Sequence, residues 1–380
     1  MVWANSPIGR APCWRRALGA ITPPLVALAI AEALLWAGAV RSGEDPRRAS
    51  TWVHWDSYRY LEIARGGYVE SIEDPPASNT GWFPGFPMLV GLAGSAGHVT
   101  PARAGRRVTL VFEFGLLVLV WTRLLPPVSA ARRWLAILTA AFFPAWFYRH
   151  AVFPLSMTVF FNFAAIGLAA RGSFLAAGVC GAVSAFTYPT GFLVAAPLAL
   201  GVALTPGLSN RGRVGAALAG PGLAVFGLGA VFGLLQDRVG HWDAYLTYQQ
   251  QQFGHRFFNP LEVLAGHARP LWRGSLDLAT LVSLHTVLVT ALLLLGAWLL
   301  ARDDAGRRPV DVLLLTHAAV VWLFVNGVGP NLSVYRPASL LVGLVPLLAR
   351  LGVPAMLLLL AAQIALGAGM VRLFFANVLV

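Results

Sequence analysis

Long apolar blocks separated by short polar turns account for most of the chain. The first block covers residues 17–40, and a polar stretch separates it from the rest. The later blocks lie at about 84–98, 108–126, 134–148, 151–170, 174–188, 190–205, 214–236, 277–300, 310–326, 338–349 and 353–375. Because a helix needs about 20 apolar residues to span a bilayer, this pattern predicts an all-α, polytopic membrane protein with about ten to twelve transmembrane helices.

Two long polar segments, 41–82 and 237–276, interrupt these blocks. We expect the whole chain, 1–380, to form a single integral-membrane domain in which these segments are outer loops. A helical core over 84–236 separates the two loops, and C-terminal helices occupy 277–380. Polar residues from distant parts of the chain then share one face of the membrane, as an active site at a membrane interface requires.

The short arginine-bearing turns favour one orientation in the membrane. If block 84–98 dips in and returns, turns such as those at Arg132 and Arg171 fall on the cytoplasmic side, where positive charge is concentrated in membrane proteins. The N-terminus is then cytoplasmic, and both long polar segments, together with Arg149 and His150, face outward from the cell inner (plasma) membrane. If 84–98 crosses instead, the same turns fall outside, against that rule.

Composition excludes the soluble classes. Hydrophobic residues make up 57% of the chain and charged residues 12%, against about 25% charged in ordinary soluble domains. The net charge of +12 comes from 28 basic residues, all arginine. They stand singly or in small groups between apolar blocks and form no basic stripe. We therefore expect membrane lipids, and no nucleic acid, as partners. The spacing of Cys13 and Cys180 indicates no metal site.

The densest group of polar and aromatic residues runs from His54 through Trp55, Asp56, Arg59 and Tyr60. Apolar and aromatic positions recur there at near-helical spacing, which predicts an amphipathic helix lying on the membrane surface in the first outer loop. Such a helix could merely anchor the loop. A carboxylate beside tryptophan at an interface is costly unless it is used or paired, so Asp56 favours a functional interpretation.

Three other features carry candidate chemistry. Phe83 and Pro84 begin a proline-broken helix, which is either a plain kink or a segment lining a cavity. The run from His241 to Tyr245 repeats the His-Trp-Asp-x-Tyr pattern of residues 54–58 and makes Asp243 a competitor to Asp56. Glu113 lies inside an apolar block, where we expect a paired structural carboxylate.

The first loop resembles the PIG-V-type GPI mannosyltransferase family, part of the GT-C superfamily, and suggests a bacterial relative. The resemblance is carried by Trp55-Asp56, Tyr60-Leu61, Ile63-Ala64, Gly67-Tyr68 and Phe83-Pro84-x-Phe86-Pro87, and more weakly by Tyr188-Pro189-Thr190-Gly191 and Tyr335-Arg336. The chain departs from the family at Phe153-Pro154-Leu155-Ser156, where the family has an acid, and at Tyr188, where it has an arginine.

The resemblance implies a GT-C-like membrane glycosyltransferase. Such an enzyme moves a hexose, here mannose, from a polyprenyl-phosphate donor to an acceptor hydroxyl of a glycolipid or glycan at the outer face, with inversion. One carboxylate serves as the general base, and we expect Asp56 in that role, with no cofactor and no metal. Arg336 is the leading partner for the donor phosphate and Arg59 the reserve. The expected substrate-binding set is His54, Trp55, Arg59, Tyr60, Phe83, Pro84, Tyr188, Asp243, Tyr335 and Arg336.

Two alternatives stay open. A multi-spanning transporter or lipid flippase is favoured by the many helices and the proline-broken segment, although the chain shows no convincing inverted repeat. A non-catalytic assembly subunit is favoured by the missing family acid and arginine.

Overall fold

A computed structural model of the chain describes residues 13–71, 75–273, 278–303, 306–329 and 333–379. These residues are helical or irregular, with no β-strand among them. The structure therefore confirms the predicted all-α, polytopic class. The extreme N-terminus, which we expect in the cytoplasm, lies outside the described residues.

The helices are numbered in chain order. They are α1 (Cys13–Arg41), α2 (Asp56–Gly66), α3 (Gly85–Ala96), α4 (Pro101–Leu119), α5 (Ala130–Ala141), α6 (Leu155–Ala169), α7 (Phe174–Thr187), α8 (Gly191–Leu204), α9 (Asn210–Val239), α10 (Ala244–Phe253), α11 (Pro260–Ala268), α12 (Leu278–Arg302), α13 (Pro309–Gly327), α14 (Tyr335–Leu348) and α15 (Val353–Phe375). A short 3-10 helix, Trp146–Arg149, connects α5 to α6.

Five of the described helices, α1, α9, α12, α13 and α15, are long and apolar enough to cross a membrane by themselves. Five shorter apolar helices, α3, α6, α7, α8 and α14, accompany them. At 1.5 Å per residue the 12 residues of α3 extend only about 18 Å, well short of a hydrocarbon core of about 30 Å. The predicted count of ten to twelve crossings reaches its lower bound of ten only if all five shorter helices also cross.

Local sequence explains where α4 begins. The Thr100 hydroxyl accepts a hydrogen bond from the Arg103 amide at 3.4 Å, and Pro101 follows at the first helical position of α4. Both are favoured at helix N-termini because the first amides lack intrahelical partners. The helix consequently starts several residues before the apolar block that predicted it.

Glycines bring α7 into close contact with α9. A Cβ atom added at Gly178 would lie 1.8 Å from the Ala219 carbonyl oxygen, and one at Gly227 would lie 2.3 Å from the Ala182 carbonyl oxygen. Small residues allow membrane helices to approach at this distance and pack backbone to backbone. This contact fixes the end of α7, from which Tyr188 emerges.

Candidate functional site

Asp56 is the first residue of α2, and an unusual backbone turn places it there. Trp55 precedes it with φ 44° and ψ −112°, in a region that costs a non-glycine residue of order 1–3 kcal/mol. The amide of Tyr58 closes the turn by donating to the Trp55 carbonyl oxygen at 3.1 Å. A carboxylate in the first turn of a helix is favoured by the partial positive charge there, so the turn and the helix together hold Asp56 at a fixed point.

Arg336, in the first turn of α14, forms an ion pair with Asp56. Its Nη1 donates to Asp56 Oδ2, and the two side chains are 11% and 28% exposed respectively. Arg336 Nε is buried and has no hydrogen-bond partner among the described residues. One edge of the guanidinium therefore holds the carboxylate, and another N–H stays available to an anion.

Aromatic rings surround this guanidinium. Its central carbon lies 5.8 Å from the ring centroid of Trp55, 5.7 Å from Tyr148 and 5.6 Å from Phe153. Tyr148 in turn stacks on Tyr335, with centroids 5.9 Å apart and the planes 22° from parallel. Guanidinium groups pack well on aromatic faces because they are weakly hydrated. The rings therefore hold Arg336 in place beside Asp56.

Two tyrosines predicted for the site lie close to the ion pair. Tyr60 is buried, with its ring edge-to-face against Phe86 at 5.8 Å, and burial raises its pKa well above the usual value. Burial likewise raises the pKa of Tyr188 to about 12, against the opposing influence of Arg336. Both phenols consequently stay protonated at neutral pH and retain an O–H group that can donate a hydrogen bond.

His54 and Arg59, also predicted for the site, are engaged elsewhere. The ring nitrogens of His54 contact Asn377 Oδ1 at 2.7 Å and the Thr51 carbonyl oxygen at 2.9 Å, and burial lowers its pKa. Arg59 donates to Glu62 Oε2 at 2.8 Å and to a carbonyl oxygen of the same loop. Neither side chain pairs with Asp56 among the described contacts, and His54 instead anchors the first loop to the end of α15.

The second His-Trp-Asp copy has different surroundings. His241 Nδ1 contacts Asp243 Oδ1 at 3.3 Å, and His241 Nε2 contacts Glu70 Oε2 at 2.7 Å. The hydrogen bond with Glu70 raises the pKa of His241. Asp243 is 45% exposed, and no arginine among the described residues pairs with it. The two copies are thus chemically unequal, because only Asp56 pairs with an arginine.

Phe83 and Pro84 join the two outer loops to the helical core. The Phe83 ring is buried 4.9 Å from that of Tyr245 in the second loop, and Pro84 precedes the first residue of α3. An apolar groove of about 380 Å³ lies between α3, α7 and α9 and includes Gly85 and Thr187. These residues directly adjoin Pro84 and Tyr188 in the chain. The groove therefore leads from the lipid-facing helices toward the tyrosines of the site.

A second ion pair, whose arginine the sequence pattern did not reveal, lies behind the first. Glu113 of α4 accepts from Arg149 Nε at 3.0 Å, and both side chains are fully buried. Arg149 Nη1 also donates to the Ser339 carbonyl oxygen at 3.3 Å, and the Ser339 hydroxyl donates to the Arg336 carbonyl oxygen at 2.8 Å. Glu113 is therefore the paired structural carboxylate that we expected, and its partner supports the backbone that carries Arg336.

Arg149 and His150 are fully buried within the protein, and their expected position toward the outer face stays a prediction. His150 Nδ1 lies 2.5 Å from Oε1 of Glu32, a carboxylate inside the first apolar block, and Arg106 pairs with the same Glu32. Buried charges need partners, and these acids supply them inside the helical bundle. In the sequence, Glu32 is distinguished only as an isolated acidic residue within an apolar run.

Metal ligation finds no support in the ranges that the structure describes. No cluster of three or more His, Cys, Asp or Glu side chains there could hold a metal ion. The expectation that the reaction needs neither metal nor cofactor stays a prediction.

Solved structures similar to this chain include two of the Archaeoglobus fulgidus oligosaccharyltransferase, one in complex with zinc and sulfate and one tethered by a disulfide bond to an acceptor peptide with the NVT sequon. Their TM-scores are 0.47 and 0.49, each at 14% identity. They cover 92% and 93% of this chain, which spans only 52% and 55% of theirs. No protein-family model and no curated protein matches the sequence, so the resemblance to the PIG-V-type family stays a prediction.

Proposed function

We propose that this protein is a membrane glycosyltransferase of the GT-C type that uses Asp56 as its general base. It moves a hexose, with mannose implied by the family resemblance, from a polyprenyl-phosphate donor to an acceptor hydroxyl of a glycolipid or glycan. Configuration at the sugar is inverted. The observation that carries this proposal is the contact between Asp56 and Arg336, which juxtaposes a proton acceptor and a phosphate-binding cation.

The chemistry follows from this pair. Asp56 takes the proton of the acceptor hydroxyl as its oxygen attacks the anomeric carbon, and the bond to the donor phosphate breaks with its electron pair going to the phosphate oxygen. A single carboxylate suffices for this displacement, since retention needs a second one about 5 Å away. Arg336 stabilises the charge that develops on the departing phosphate. Its unpartnered Nε supplies a donor for that oxygen, while Nη1 keeps Asp56 in position.

The apolar groove between α3, α7 and α9 supports a lipid-borne donor. It is lined almost entirely by apolar side chains and includes Gly85 and Thr187, next to two residues predicted to bind substrate. A polyprenyl chain lying there would present its phosphate near Tyr188 and Arg336. On this proposal the site faces the outer side of the plasma membrane, the side assigned to the first loop by the positive-inside rule.

A non-catalytic assembly role is the second candidate. It is favoured by the same ion pair, because a carboxylate already satisfied by an arginine also serves as a structural link. The two functions predict different effects of the Asp56→Asn substitution. Asparagine retains the shape of Asp56 and some of its hydrogen bonding, but it cannot accept a proton as a general base does.

The experiment is a transfer assay on purified protein in lipid nanodiscs with polyprenyl-phosphate [14C]mannose and a panel of glycolipid acceptors. We expect Asp56→Asn to lower turnover by about 10²-fold or more, the range of general-base loss. Asp243→Asn, the matched change in the second His-Trp-Asp copy, should stay within a few-fold of wild type. The reverse ranking would move the active site to the second loop. No transfer by wild type to any acceptor, with the chain folded, would favour the assembly role.

A further inference from the structure

A second groove, away from the site described above, lies between the first and the last helix. α1 and α15 run side by side, with Phe142 and Trp146 beneath them, and enclose about 400 Å³. Its lining includes the small, exposed side chains of Ala37 and Ala368. A volume of this size is typical of small-molecule sites. Its walls are largely apolar, which suits a hydrocarbon chain.

Two arginines lie at one end of this groove. Arg41 ends α1 and Arg372 lies in the last turn of α15, and both line the groove. Their side chains are exposed, and neither forms a hydrogen bond or ion pair with the described residues. Basic residues are favoured at helix C-termini, but that preference does not require two of them at the mouth of the same cavity. Their combined charge suits an anion.

Trp146 lines the groove together with Phe142. Trp146 is only 2% exposed, and its Nε1 has no hydrogen-bond partner among the described residues. This N–H lies against the backbone of Gly367 in α15, where an added Cβ atom would be 2.7 Å from Nε1, so it faces α15 rather than the groove.

The apolar walls and the two arginines define a ligand with an anionic head and a hydrocarbon tail. We propose that the groove binds one anionic glycerophospholipid of the bilayer, with its phosphate on Arg41 and Arg372 and an acyl chain between α1 and α15. The donor groove proposed above has no charged residue in its lining, so the two grooves differ in the ligand chemistry they suit.

The lipid would act on the site through α15. Phe374, two residues beyond Arg372, packs against the rings of His54 at 4.3 Å and Trp55 at 5.4 Å. A lipid that fills the space between α1 and α15 steadies that end of α15. The backbone turn that places Asp56 is steadied with it.

The test measures binding alone and is independent of transfer. The full chain is released from nanodiscs containing equal amounts of phosphatidylglycerol and phosphatidylcholine, and retained lipid is identified by native mass spectrometry. We expect one retained phosphatidylglycerol. The double variant Arg41→Gln/Arg372→Gln should weaken retention roughly tenfold or more, because both charged donors to the phosphate are removed. A matched control, Arg47→Gln/Arg65→Gln, removes the same charge from exposed positions of the first loop and should retain the lipid.

Ala37→Phe provides a second route, because it fills the groove and leaves both arginines in place. We expect it also to lose the lipid. Equal retention of phosphatidylglycerol by all variants would show adsorption at the surface and overturn the proposal. So would equal retention of phosphatidylcholine, because the arginines would then have no selective role. Displacement of phosphatidylglycerol by added undecaprenyl phosphate at lower concentration would overturn the phospholipid assignment in favour of a polyprenyl lipid.

Discussion

Replacement of Glu113 by glutamine tests how the fold supports the site. The carboxylate of Glu113 accepts three hydrogen bonds from Arg149, at 3.0, 3.2 and 3.3 Å, and both side chains are fully buried. Glutamine keeps one acceptor oxygen and removes the negative charge, so the guanidinium stays buried without a counter-ion. Loss of one partner from a buried pair costs about 3–5 kcal/mol, and we expect that loss in the free energy of unfolding.

The control is the same substitution in an exposed pair. Glu62 pairs with Arg59 at 2.8 Å, with side chains 44% and 28% exposed, and such pairs contribute about 0–1 kcal/mol. Both variants are unfolded by titration with sodium dodecyl sulfate in mixed micelles, and the folded fraction is followed by tryptophan fluorescence. Glu113→Gln/Arg149→Met should recover part of the loss, because it removes the unpaired charge. Equal, small costs for Glu113→Gln and Glu62→Gln would refute the reasoning.

Three further predictions concern the site, the first loop and the topology. Arg336→Lys should insert normally but lose most transfer activity and bind the donor more weakly, because an ammonium lacks the planar guanidinium geometry that holds Asp56 and phosphate together. Near-normal turnover of this variant would show that Arg336 has a purely structural role. Burial lowers the pKa of His54, so its stabilising contribution is present above the unfolded pKa of about 6.5 and is lost as pH falls toward the folded value. The unfolding free energy should then decline more steeply between pH 7 and 5 in wild type than in His54→Gln, by at most about 1.4 kcal/mol per pH unit. Tyr58 and Trp242 are both more than half exposed. In a cysteine-free background, cysteines at these two positions should react with a membrane-impermeant thiol reagent from one side of the membrane, and a cysteine at Arg171 should react from the other side. Labelling of the Tyr58 and Trp242 positions from opposite sides would refute the prediction that both loops share the outer face.

The sequence predicts the helices well because apolar block length alone limits what can lie in a bilayer. The block at 174–188 corresponds to α7, Phe174–Thr187, and the block at 353–375 to α15. The apolar pattern does not predict the start of α4, because the first turns of this helix carry arginines. The helix cap at Thr100 is the local signal for that start.

The site was only partly predictable. Asp56 and Arg336 each stand out as polar residues beside aromatics, but they are 280 positions apart, and no local pattern reports such a pairing. His54 and Arg59 were assigned to the site by adjacency in the chain. Their side chains hydrogen-bond to Asn377 and Glu62, and their role in substrate binding stays a prediction. Arg149 and Glu32 are buried and therefore need partners of opposite charge. Those partners lie on other helices, and the order of residues in the sequence does not indicate them.

The two long-range contacts of the first loop have a consequence for how the protein is made. Asp56 reaches Arg336, and His54 reaches Asn377, across 280 and 323 positions. During synthesis the first loop therefore leaves the translocation machinery long before either partner exists. The loop cannot have both of these contacts until α15 and Asn377 have been made, although it already contacts earlier residues such as Val152. Acquisition of the site is thus a late event that must wait for insertion of α14.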